Sequence, residues 1–165
     1  MHPEAFMEEA FAIARTAKAS EGTAPFGAVV VKNGEIVGRG LNRARACFDP
    51  TSHGETEAIR DACRNLRTTD LSGCDLYTSC EPCALCVCAM TMAGISRMFY
   101  AASLADAPVV FANVPAKYRN RVPSDVLRRE AGLPSSERAM PAHQVSHQEG
   151  LAVLKSWAED AEKLG

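Results

Sequence analysis

The sequence predicts an α/β fold in which helices cover a partly parallel sheet. Three observations point there. Apolar residues recur at helical spacing over residues 4–20, 53–67 and 83–93. Short strand-like runs alternate with them, at 28–38, 75–78 and 98–101. Such alternation lets a helix cross over between parallel strands, which builds a sheet with helices packed on it. Finally, Asn33-Gly34 separates the first two strand runs, and both residues tolerate positive φ, so this pair closes as a tight hairpin.

Each element has a local reason. Phe6, Met7, Ala10, Phe11, Ala14 and Ala17 fall on one helical stripe, which Pro25-Phe26-Gly27 ends. Ala28–Lys32 and Glu35–Gly38 form the hairpin strands. A loop with Asp49-Pro50 leads into the helix over 53–67, whose Ala58, Ile59, Ala62, Cys63 and Leu66 face a core. Asp75–Thr78 and Met98–Ala101 read as strands around the helix over 83–93. From residue 103 prolines at 108, 115, 123, 134 and 141 weaken the pattern. Ser146-His147-Gln148-Glu149 reads as a capping box opening a last helix with a Leu151, Leu154, Trp157, Ala161, Leu164 stripe. That stripe needs a surface, on its own domain or on a partner.

At 165 residues the chain fits one domain, since domains run roughly 100–200 residues. Hydrophobic residues at 47% and charged residues at 23% are ordinary for a globular protein. A net charge of −2 offers no attraction to a phosphate backbone and argues against a nucleic-acid partner. The seven cysteines, at 47, 63, 74, 80, 83, 86 and 88, are odd in number and crowded, a poor disulfide framework. They suit metal binding or redox chemistry in a reducing compartment. Met1-His2-Pro3-Glu4-Ala5-Phe6-Met7-Glu8-Glu9 has no basic stretch followed by an apolar one, so it does not read as a signal peptide. No run approaches the ~18 apolar residues of a membrane span. A cytoplasmic protein is expected.

Two short segments carry chemistry: His53-Gly54-Glu55, and Pro82-Cys83-Ala84-Leu85-Cys86. Together they match H-x-E…P-C-x-x-C, the signature of zinc deaminases, which is a recognition and not a deduction from spacing. The physics agrees with it. Cysteines at i and i+3 lie on one face of a helix turn, and a helix N-terminus favours thiolates over thiols. His53 also stands where a helix begins. Two helix starts at one sheet edge converge where α/β proteins bind ligands. His53, Cys83 and Cys86 would leave the fourth position of tetrahedral zinc open to water, and zinc would lower that water's pKa toward about 7. Glu55, two residues from a ligand, is placed to move protons.

Every piece also has an ordinary structural reading. Ser52-His53-Gly54-Glu55 fits a capping box, with Glu55 only capping a helix. Cys83 and Cys86 read as a redox pair, or Cys80 or Cys88 closes a structural zinc site. Co-occurrence favours catalysis, because neither alternative has a use for Glu55. Phe26 reads as core or as a face that stacks on a planar ring. Asn42 reads as a turn residue or as an amide offering donor and acceptor to a heterocycle. Asp106 reads as a loop charge. Cys47, Cys63 and Cys74 read as small buried apolar residues, and Cys88 has no assigned role.

The chain resembles the cytidine-deaminase-like superfamily, and within it the bacterial guanine deaminases. The resemblance rests on Pro25-Phe26-Gly27-Ala28-Val29, on Asp49-Pro50-Thr51 leading to His53-Gly54-Glu55-Thr56-Glu57-Ala58-Ile59-Arg60, and on Leu76-Tyr77-Thr78-Ser79-Cys80-Glu81-Pro82-Cys83. It extends through Phe99-Tyr100-Ala101-Ala102, Ala105-Asp106-Ala107 and Glu137-Arg138-Ala139-Met140-Pro141, to Gln144-Val145 and Trp157. It implies a three-layer α/β/α fold with a central five-stranded mixed sheet. It implies zinc held by His53, Cys83 and Cys86, with Glu55 as proton shuttle. It implies that Phe26 and Asn42 contact a base, that the Gly54 N–H reaches a substrate carbonyl, and that Asp106 lies near the amino group or its departing ammonia. The implied reaction is hydrolytic deamination of guanine or a related amino-heterocycle. Cytosine, nucleosides, aminotriazines and tRNA adenosine are the alternative substrates. The implied assembly is a homodimer in which the tail, residues 134–165 of a single deaminase domain, is exchanged. Three positions depart from the guanine deaminases. Gly54 stands where alanine is usual, Thr91-Met92 where Tyr-Trp is common, and the chain ends Lys163-Leu164-Gly165 without an aromatic.

Overall fold

The Asn33-Gly34 turn closes as expected, with φ of 52° and 80°, and joins β1 (Ala24–Lys32) to β2 (Glu35–Asn42) in an antiparallel pair. Both strands run longer than the sequence suggests, because pairing and burial carry them past Phe26 and past Gly38. The computed structural model describes residues 3–119 and 123–164. Met1 and His2, where the reading of the N-terminus starts, and the terminal Gly165 lie outside them. Two compact units divide the chain, Met1–Ala131 and Gly132–Gly165.

In the first unit α1 (Pro3–Arg15) precedes the hairpin, and α2 (Gly54–Leu66) follows it. β3 (Cys74–Cys80), α3 (Ala84–Ala93) and β4 (Arg97–Ala102) form a crossover unit, with β4 parallel to β3. β3 pairs antiparallel with β1, and the sheet order is β2-β1-β3-β4.

The sheet is mixed, as expected, but among the described residues it has four strands and not the five expected. Beyond β4 the chain turns at Asp106 into the short α4 (Asp106–Val110), and Pro108, Pro115, Pro123, Pro134 and Pro141 follow. Proline donates no ladder hydrogen bond, and among the described residues no segment pairs with the outer edge of β4.

Strand periodicity sorts side chains onto two faces. On one, Val29, Val31 and Tyr77 pack against Phe6, with Met7, Ile13 and Phe99 around them. On the other, Ala28, Val30 and Leu76 pack against Ala58, Ile59 and Ala62 of α2 and Met90 and Ala93 of α3. Helices on both faces make three layers. The α2 face depends on missing side chains. A Cβ on Gly38 would run into the Ala58 carbonyl, and one on Gly40 into the Gly54 carbonyl and the Ala58 N–H. The first turn of α2 therefore lies directly on β2.

A helix α5 (Ser124–Gly132) follows α4, and in the second unit α6 (His147–Glu162) forms where expected. Its N-cap differs: Ser146 adopts a left-handed conformation, φ 52°, and its side chain does not cap. The residue before α6 turns the chain, and its hydroxyl is not aimed at the helix. No described helix is long and apolar enough to cross a membrane.

Candidate active site

His53 and Cys83 are the residues from which α2 and α3 start, both in extended conformation, and the two starts face one point. His53 Nδ1 lies 3.6 Å from Cys83 Sγ and 3.5 Å from Cys86 Sγ, and the sulfurs are 3.7 Å apart. Around a tetrahedral ion with Zn–S of about 2.3 Å and Zn–N of about 2.05 Å, the S···S edge is about 3.75 Å and the S···N edge about 3.55 Å. The observed triangle matches those edges before any ion is considered. Two thiols and an imidazole are also the donor set zinc prefers. Among the described residues this is the one cluster with such spacing. Cys80 and Cys88 do not join it. Cys80 Sγ is turned to the Ser103 carbonyl, 3.8 Å away, and Cys88 faces outward. His53, Cys83 and Cys86 could thus hold an ion with one corner open, and among the described residues no further cysteine or histidine joins them.

Glu55 sits against this triangle. Its carboxylate is 5% exposed, with Oε2 3.5 Å from Cys86 Sγ and Oε1 3.5 Å from the Thr78 hydroxyl. It does not cap α2. Thr56 takes that role, its Oγ1 accepting the His53 N–H at 3.0 Å. The capping-box reading of Glu55 is therefore corrected. The Ser52 N–H that such a box would bond goes to the Asp49 carbonyl instead, and Glu55 points inward.

The electrostatics follow from burial and proximity. Burial holds the Glu55 carboxyl above the usual carboxylate range. The hydrogen bond shared with Cys86, and His53 beside it, lower the Cys83 thiol to about 4. Cys86 is raised by the same bond and by its own burial. His53 is raised, chiefly by its bond to Cys83.

The loop ahead of α2 is tied down. Thr51 N and Oγ1 both donate to Asp49 Oδ1, at 2.8 and 2.7 Å. Arg60 Nη2 donates to Thr51 Oγ1 at 3.0 Å, and its guanidinium also pairs with Glu57. The Arg43 N–H donates to the Ser52 carbonyl at 2.9 Å, which joins the end of β2 to the site.

The base-contacting candidates are placed less uniformly. Gly54 is buried at the start of α2, beside the Phe26 carbonyl. Phe26 is half-buried, and the ring of Phe111 meets it edge-on at 6.0 Å and 88°. Asn42 is buried at the end of β2, and its Oδ1 accepts the Ala44 N–H at 3.3 Å. Asp106 is exposed and holds the Ser103 N–H and hydroxyl at 2.7 and 2.8 Å. That turn is linked to the metal motif, because the Leu104 N–H donates to Glu81 Oε2 at 3.0 Å. Met92 is 89% exposed on α3. Cys74 is buried, but Cys47 is exposed in the turn after Asn42, contrary to its reading as a core residue. A reverse turn there leaves its side chain no apolar layer to enter.

Residues 1–102 match the family model described as the cytidine and deoxycytidylate deaminase zinc-binding region. The chain belongs to this deaminase family. It is 36% identical to guanine deaminase of Bacillus subtilis, over 99% of this chain and 98% of that one. The crystal structure of a B. subtilis guanine deaminase superimposes with a TM-score of 0.82, covering 96% of this chain and 95% of the other at 35% identity. A guanine deaminase from Nitrosomonas europaea matches at a TM-score of 0.62 and 31% identity, over 66% of this chain and 63% of that one. A tRNA-specific adenosine deaminase of Aquifex aeolicus is 39% identical, but over 62% of this chain and 67% of its own.

Sequence reasoning missed three members of the deaminase site region. Thr78 looked like a plain strand residue, yet its fully buried hydroxyl meets Glu55. Ser79 receives the Gly27 N–H at 3.1 Å, and Phe111 contacts Phe26 from a stretch with no periodic signal. A hydroxyl at the end of a run read as a strand was the only available hint, and it applied to Thr78 alone.

Proposed function

We propose that the chain hydrolyses the exocyclic amine of guanine, or of a closely related amino-heterocycle, to a carbonyl with release of ammonia. One observation carries the chemistry: a buried carboxylate beside an open-cornered His53, Cys83, Cys86 triangle. Similarity along the whole chain to guanine deaminases supports the substrate, since the tRNA deaminase likeness stops near two thirds of it.

When bound, zinc would supply a Lewis acid that makes water nucleophilic near neutral pH. The chain's own residues do the rest. Glu55 takes a proton from the attacking water as its oxygen bonds to the ring carbon. It passes that proton to the ring nitrogen, then takes the proton of the newly formed C–O–H group and delivers it to the amine as the carbonyl forms and the C–N bond breaks. Burial keeps the carboxyl's proton affinity high enough for both directions. Thr78 fixes the Oε1 side by its hydrogen bond, so Oε2 faces the reacting centre. Phe26 stacks on the ring, Asn42 and the Gly54 N–H hold its polar edge, and Asp106 stands near the departing amine.

The protein works in the cytoplasm, in keeping with seven unpaired cysteines. It acts as a homodimer in which residues 134–165 dock on a second copy. Val153, Leu154 and Trp157 of α6 are 69%, 67% and 72% exposed and call for a partner surface. The deciding experiment measures ammonia release by zinc-loaded protein from guanine, guanosine, cytosine, isoguanine, an aminotriazine and tRNA. Guanine or a close 2-amino-heterocycle turning over supports the proposal. Turnover of cytosine alone, or of tRNA alone, replaces it with that substrate class. No ammonia from any of them refutes the enzyme reading.

A further inference from the structure

Phe26 is held by a bulge in its own strand, by Gly54 within the metal motif, and by Phe111 outside it. The β1–β2 register slips between Ala24, opposite Asn42, and Gly27, opposite Leu41. Pro25 and Phe26 therefore form a bulge, the device by which a strand re-aims one side chain. The bulge leans on α2. A Cβ on Gly54 would collide with the Phe26 carbonyl oxygen, lie 3.0 Å from its carbonyl carbon and 3.5 Å from Gly27 Cα. Any residue other than glycine must push this backbone away. On the far side the Phe111 ring abuts the Phe26 ring edge-on, from the turn that ends α4. Edge-to-face pairs at this separation are favourable and directional.

We infer that Gly54 and Phe111 are specificity-determining positioning residues. Gly54 sets how close the Phe26 backbone comes to the site, Phe111 sets the tilt of its ring, and together they fix which heterocycle fits. This rests on Phe26 stacking on the substrate, as proposed above. Gly54 also offers its backbone N–H to the substrate, a donor that alanine keeps, and Phe111 acts only through Phe26. Phe111 lies outside the metal motif, so altering it moves the stacking wall without touching His53, Cys83, Cys86 or Glu55; for Gly54→Ala, metal content checks that the ligands stay in place.

The test uses zinc-loaded full-length Gly54→Ala, Phe111→Ala and Phe111→Tyr. Metal content, melting temperature, KM and kcat are measured for guanine, isoguanine and an aminotriazine, with crystal structures of wild type and Gly54→Ala. Stacking contacts of this kind are worth enough that displacing the ring should raise KM for the preferred base roughly tenfold or more. We expect that rise in Gly54→Ala and Phe111→Ala, kcat within about threefold of wild type, and a changed ratio of kcat/KM between bases. Phe111→Tyr, which keeps the ring, should restore the wild-type values. Folded, zinc-loaded variants with unchanged KM and unchanged base ratios overturn the inference, as does a fall in kcat alone. The crystal structures decide independently of activity. An unmoved Phe26 in Gly54→Ala overturns it even where no base is turned over, an outcome that would separately refute the proposed function.

Discussion

Replacing Glu55 with glutamine separates chemistry from architecture at this site. The side chains are nearly isosteric, and the position is 5% exposed, so packing is preserved. The glutamine oxygen still accepts from the Thr78 hydroxyl, and its amide N–H still reaches the Cys86 sulfur across the 3.5 Å now spanned by Oε2. Zinc content and fold should therefore be unchanged. Turnover should not survive, because an amide cannot accept the water's proton. One positioned acid–base group contributes roughly 10²–10⁴-fold, or about 2.7–5.4 kcal/mol of barrier. Glu55 is asked to serve successive transfers, so a loss near the upper end, ~10⁴-fold, is expected. There is an opposite effect on stability. The folded-state pKa of Glu55 is raised, so the stability it contributes is fully present below its unfolded pKa and is lost as pH rises through the folded value. At neutral pH the metal-free wild type carries that penalty and the glutamine variant does not. Metal-free Glu55→Gln should melt no lower than metal-free wild type. The assay is ammonia release under saturating base, with metal analysis and thermal melts on the same samples. Turnover within about tenfold of wild type would refute the proton-shuttle role. A lower melting temperature with normal turnover would return Glu55 to a helix-capping role.

Cys83→Ala and Cys86→Ala should each abolish stoichiometric zinc and lower the melting temperature, because metal binding contributes to folding; metal analysis and calorimetry check both. In metal-free protein the depressed Cys83 pKa contributes stability above the unfolded value that is lost as pH falls through about 4, so the advantage of wild type over Cys83→Ser in thermal melts should vanish there. Gly40→Ala drives a methyl into the Gly54 carbonyl and the Ala58 N–H, and denaturant titration should show a loss of about 1–3 kcal/mol or more, since backbone cannot yield as a side chain can. Deleting residues 134–165 should leave a monomer with impaired catalysis; sedimentation and the ammonia assay test this, and an active truncated monomer would refute tail exchange.

Much of the chemistry could be read in sequence order, because motif residues sit at helix starts. A cysteine pair at i and i+3 shares a face wherever the helix lies, and Asn33-Gly34 closes a hairpin in any sheet. The alternating strands and helices likewise announced an α/β sheet. These are local properties, fixed by φ/ψ preferences and side-chain periods of a few residues. What brings His53 within 3.6 Å of a cysteine thirty residues on is not local. It requires α2 to lie on β2, which Gly38 and Gly40 permit by lacking side chains, and the β3-α3 unit to start beside it. The same holds for the misreadings. The number of strands depends on whether a segment finds a partner edge, and no residue of β4 encodes that. Cys47 and Thr78 show that burial belongs to the assembled layers: the apolar thiol ends in a turn, and the hydroxyl ends in the core beside Glu55. Sequence alone offered His53, Cys83, Cys86 and Glu55, because each motif spans only a few residues. Tertiary structure alone decided what surrounds Phe26, because a bulge, a missing Cβ on another element and a distant ring must all meet there.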